Sequence, residues 1–225
     1  MKNSTTKKFT LATILMLATP VAIVASLVST QTINAQSATT RSIVEKIDET
    51  LCLAQGYLME GAQKMEAFKS PADKRPYIDH VIDFEQWYRA AQQGVVIPID
   101  DLLASVPKDS ADYKPVLQTH AVLHKMVHIM DFIQKSLRAN QGVTSAATLA
   151  TKLQAMNATA RGKLQDIFVA LGALAEIMKA TPGYEELAFK ITTIQLELRE
   201  LLKDDNMSVA QKFKMLGVLK QRCKQ

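Results

Sequence analysis

The chain is poor in the residues that punctuate and cross-link a fold. It has 2 Cys, 8 Gly and 7 Pro in 225 residues, and aromatics make up 6%. No stretch alternates apolar and polar residues for long enough to be a strand, which excludes a sheet architecture. No CxxC occurs, so a thioredoxin-like redox role has no support. A glycine-rich phosphate loop, a nucleophile elbow, an HExxH pair and a CxxCH haem motif are also missing. Acidic residues are plentiful, but they lie on solvated faces and no pair stands out as an acid/base couple. The expectation is a protein that is not an enzyme.

Acid is absent from residues 1–35 altogether. Lys7 and Lys8 precede the uncharged apolar stretch Leu11–Val28, and Ile33 and Ala35 stand like the −3 and −1 residues of a cleavage site. Residues 1–35 therefore read as an export signal. The stretch is long for a signal and nearly spans a bilayer, so an uncleaved anchor through residues 9–28 is the alternative. Either way the rest of the chain is expected outside the cytoplasm, periplasmic or secreted. The three lysines of this segment also inflate the net charge of +5; without them 24 basic residues face 22 acidic ones, a balance of +2. That leaves no electrostatic case for nucleic acid.

What is there is helical composition, rich in Ala, Leu, Lys, Gln and Met. From Arg41 to Lys69, Ile43, Ile47, Leu51, Ala54, Leu58, Ala62 and Met65 step by four and three, one face of a helix. A second helix is expected from Pro71, or alternatively from Pro76, to about Gln93, where Gly94 ends it. Val95–Ile99 contains Pro98 and reads as an extended crossover, with Asp100 capping a single turn that Pro107 closes. A third long helix covers Val116–Asn140, and a fourth runs from Thr144 or Ser145 to about Ala180. Thr181-Pro182-Gly183 breaks the chain before a helix whose Leu187, Ile191, Ile194, Leu198 and Leu201 form a coiled-coil-like seam. Ser208–Gln211 is a capping box for a last helix to about Cys223. The expected fold is all-α: an up-and-down bundle of about five long helices plus one short turn, in one domain over residues 36–225.

The Val116–Asn140 helix holds the sharpest chemical feature. His120, His124 and His128 are spaced i, i+4, i+8, so their imidazoles share a stripe, and Asp131 projects near its middle. Imidazoles so spaced can share Zn²⁺, Cu²⁺ or Ni²⁺. The stripe spans about 12 Å at 1.5 Å per residue, so one ion takes an adjacent pair plus Asp131 or a group from another helix. Asp79, His80 and Asp83 are the donors expected if the second helix lies alongside. The plainer reading is a half-exposed face rich in histidine. A third reading is acid sensitivity, through repulsion among protonated rings below about pH 6.5.

Cys52 and Cys223 are an even pair, which in an exported chain suggests a disulfide. The alternative is two unpaired thiols, one in the core and one on a frayed end. Trp87 with Val95–Ile99 is either a partner-binding patch or ordinary core. The functional expectation is an exported, non-enzymatic bundle that acts by protein–protein interaction, without a cofactor, and that self-associates through the Leu187–Leu201 seam. The alternative is a periplasmic metal-binding protein using the histidine stripe.

Overall fold

The computed structural model describes residues 39–203, apart from positions 62, 66, 69–71, 144 and 145. Two compact units divide the chain, Met1–Ser42 and Ile43–Gln225. The second carries the bundle. The export segment, the capping box and Cys223 lie outside the described residues, as do Thr144 and Ser145. No helix among the described residues is long and apolar enough to cross a membrane.

The described elements are helices throughout. They are α1 (39–68), α2 (Tyr77–Ala91), α3 (Ile97–Ser105), α4 (Tyr113–Ala139), α5 (Ala146–Lys179) and α6 (Glu185–Lys203). The fold is therefore an all-α bundle, as the periodicity predicts. Ile43, Ile47, Leu51, Ala54, Leu58 and Met65 are all buried, so the four-and-three stepping of α1 is its core face. Pro76, not Pro71, precedes the second helix.

α2 runs antiparallel to α4. The Tyr77 hydroxyl at the start of α2 donates to the Leu137 carbonyl at the end of α4, at 2.8 Å. Trp87 Nε1 donates to the Tyr57 carbonyl of α1, at 2.7 Å. A Cβ on Gly61 would fall inside the Trp87 ring, so α1 and α2 touch only because that position is glycine. Trp87 is core rather than an exposed patch. α4 packs on α2, α3 and α5, and α5 packs on α6. The α5–α6 turn depends on Gly183, whose φ of 89° is in the left-handed region. Beyond it, buried Tyr184 donates to Asp112 Oδ1 at 2.9 Å and ties the start of α6 to that of α4. Burial, with the hydrogen bond to Asp112, pushes the Tyr184 hydroxyl far above its ordinary pKa.

The region after Gly94 is where the structure departs from the expectation. Val95–Ile99 is not an extended crossover, and Asp100 does not cap a turn. The chain continues from α2 through a π-helical turn, Gln92–Val96, directly into α3. The Ile97 N–H bonds to the Gln92 carbonyl, five residues back. The wide turn makes room for the Pro98 ring, and proline, in the first turn of α3, lacks an N–H that would need a partner. Gly94 does not stop the helix. It sits where a Cβ would meet the Tyr57 hydroxyl at 2.9 Å.

Of the α6 seam, Leu187, Ile191 and Leu198 are buried and Ile194 is half-buried.

Candidate functional site

α4 buries Val122, Leu123, Met126, Val127, Ile129, Met130 and Leu137. That orientation turns the histidine stripe outward, with His120 and His124 half-exposed and His128 exposed. The i, i+4 spacing stacks the first two rings, with centroids 4.1 Å apart and planes at 35°. On the neighbouring helix, Ile99 and Leu102 anchor α3 in the core. Asp100, between them in sequence, is left on the outer side, where its carboxylate meets both rings. Asp100 Oδ1 is 2.8 Å from His120 Nε2 and 2.9 Å from His124 Nε2.

Three ligand atoms thus lie within 4.8 Å of one another, drawn from two helices. Side-chain exposures are 46% for Asp100, 27% for His120 and 41% for His124, so the cluster is open to water. At bonds of about 2.1 Å, ligand atoms set at right angles around an ion stand about 3.0 Å apart, and tetrahedral ones about 3.4 Å apart. The 2.8 and 2.9 Å separations fit such a set after a small outward shift. Protonated at Nε2, the same two rings both donate to the one carboxylate oxygen, so an ion would take the place of two protons.

The structure brings together only part of the predicted ligand set. His120 and His124 belong to it. His128, a turn further along, is outside the group. Asp131 is outside the group too. It accepts 2.7 Å from Lys135 Nζ and 3.1 Å from the Gln134 side-chain amide. Burial pushes its carboxyl upward, but the hydrogen bonds from Lys135 and Gln134 outweigh that and hold it below its ordinary value. Asp79, His80 and Asp83 do not join the stripe, because the start of α2 lies at the far end of α4. His80 is buried beside Phe68, with Asp73 3.7 Å away and Arg75 3.4 Å away. Arg75 in turn bridges Asp73 at 2.9 Å and Asp83 at 2.7 Å.

The sequence reading missed Asp100. The signal was present: IPIDDLL has apolar Ile99 and Leu102 three apart, and proline is at home in a first helical turn. Cys52 is half-buried on α1.

No protein-family model matches this chain, and no curated protein or solved structure matches it.

Proposed function

We propose that this is an exported helical-bundle protein that binds a divalent first-row transition ion, Zn²⁺, Cu²⁺ or Ni²⁺, through Asp100, His120 and His124. The observation that carries the reading is the convergence of two imidazole nitrogens and one carboxylate oxygen from separate helices, with no lysine or arginine among the three. Two nitrogens and an oxygen suit the intermediate softness of these ions. Three protein ligands leave a position open in a tetrahedral shell. Export rests on the character of residues 1–35 alone.

The test is calorimetric titration of the protein with each ion, beside Asp100→Asn, His124→Ala and His128→Ala variants. Stoichiometric binding that His128→Ala keeps and the other two lose supports the reading. No binding by the wild type, or binding that Asp100→Asn leaves unchanged, overturns it.

A protein partner is the second reading, and it fits the same face. Ile97, one turn before Asp100, and Leu117, one turn before His120, are exposed large apolar side chains beside the ligands. They are suited to a partner that supplies the remaining ligand. A partner retained only by the metal-loaded protein separates this reading from simple ion binding.

A further inference from the structure

The surroundings of the Asp100–His120–His124 cluster differ on its two sides. On the α3 side the charge is acidic. Asp100 and Asp101 are exposed, and no basic residue stands between Gln92 and Pro107. Beyond His124 on α4 come Lys125 and His128, both exposed. Among the described residues Asp101 and Lys125 enter no ion pair, and His128 enters no hydrogen bond. His128 does not reach the cluster of its own chain. An ion held there lies at a level midway between His120 and His124, and His128 is about 9 Å beyond that level at 1.5 Å per residue.

We propose that a second copy of this chain completes each site: His128 of one copy is the fourth ligand to an ion held by Asp100, His120 and His124 of the other. This rests on the metal-binding reading above and names its partner. Three observations favour a second copy. First, three protein ligands leave one position of a tetrahedral shell, and the exposure of the cluster turns that position to solvent. Second, the chain carries its own further imidazole, exposed on the same outer row. A two-fold axis at the level of Lys125 is midway between the ion and His128, about 4.5 Å along α4 from each. Rotation about it lays the two α4 helices antiparallel and makes the exchange of His128 reciprocal, as an isologous contact requires. Third, the charges match. Projected at about 100° per residue, Lys125 lies on the side of His128 away from α3. The same rotation carries it across to the α3 side of the other copy, where Asp101 is exposed.

The rim of the cluster permits close approach. Ile97 is 53% exposed and Leu117 42%, while exposed Ala104, one turn after Asp100, and half-exposed Ala121, next to His120, add little bulk. These side chains are fewer than a permanent dimer buries, so the two ions carry the association. Removing the ions should therefore separate the copies.

The experiment uses the full chain and zinc alone, with mass from light scattering read beside titration calorimetry. The chelated protein is expected to be a monomer, to double in mass as one zinc per chain is added, and to return to monomer with chelator. His128→Ala, a change at an exposed position, should keep one zinc per chain and stay monomeric. Asp100→Asn should stay monomeric because it lacks the ion. Each of these variants retains what the other has lost. Mixed in equal amounts, they should form pairs of one chain of each kind around a single zinc, seen by native mass spectrometry. Zinc bound without a change of mass overturns the proposal and leaves the metal-binding reading standing, with water in the fourth position. No zinc bound overturns both. Doubling that occurs without zinc, or that His128→Ala also shows, overturns the exchange of His128. So does a mixture whose chains stay apart.

Discussion

Among the described residues, two clusters combine histidine with carboxylate, and they are built differently. In the Asp100–His120–His124 cluster, two imidazoles face one acid and no guanidinium intervenes. In the Asp73–Arg75–His80–Asp83 cluster, a guanidinium lies between two acids with one buried imidazole beside it. The second is a closed ion-pair network. The Arg75 hydrogen bonds hold the Asp73 carboxyl down at about 2, and Asp73 and Asp83 hold the guanidinium proton more tightly still. Nearness of histidine to acid is thus a poor sign of a metal site by itself. What decides is whether a resident cation already answers the carboxylates.

The largest effect that would sharpen this contrast is on ion affinity. Asp100→Asn or His124→Ala should weaken zinc binding at least 100-fold, roughly the upper end of what loss of a mere outer-shell partner costs. Titration calorimetry reads that directly. Equal affinity in wild type and variants would erase the distinction between the clusters. Next comes stability. Zinc at 100 times its dissociation constant should add about 2.7 kcal/mol, a rise of about 5–10 °C in Tm for a domain of this size. A melting curve indifferent to zinc would count against an ion held by the folded state. The same binding should weaken as pH falls through the range where imidazole gains its proton, because ligation needs both rings deprotonated at the bonding nitrogen.

A sharper way to break the comparison is to remove the resident cation. Arg75→Met leaves Asp73, Asp83 and His80 unanswered. It should create a second zinc event, at least about tenfold weaker than the first because the buried imidazole is less free to move. No new event would mean that burial, rather than the guanidinium, keeps ions out. The smallest effect is on acid stability. The folded-state pKa of Asp73, about 2, lies below its ordinary value of 3.8. Its contribution is present above the unfolded value and fades as pH falls from near 5 toward 2. Asp73→Asn should therefore be slightly less stable at neutral pH, with a shallower acid limb in equilibrium unfolding. An unchanged limb would show that this solvent-exposed network adds nothing, which is common for surface pairs.

Much of the scaffold was legible in the sequence because helical burial follows a short local rhythm. The stepping of Met156, Ala160, Leu164, Ile167, Leu171, Leu174 and Met178 alone marks the buried face of α5. The site was half legible for the same reason. His120 and His124 are four apart, so one helix brings them together. Asp100 is twenty residues away on a helix that Pro98 disguised as a loop. Asp131 projected onto the stripe correctly, but a wheel does not show that Lys135 and Gln134 draw the carboxylate to themselves. Periodicity says which side a residue faces. It does not say what already occupies that side.

The π-turn at Gln92–Val96 carries one further consequence, which concerns counting. A wide turn holds one more residue than an ordinary helix would between the same two ends. Everything after it is therefore rotated by about 100° relative to an uninterrupted helix. In a chain that shares this helix pair but lacks the wide turn, the spacing from Trp87 to the acid would be one residue shorter. An alignment forced through without a gap would then set Ile99 against that acid, and the third ligand would look lost when it had only changed its number.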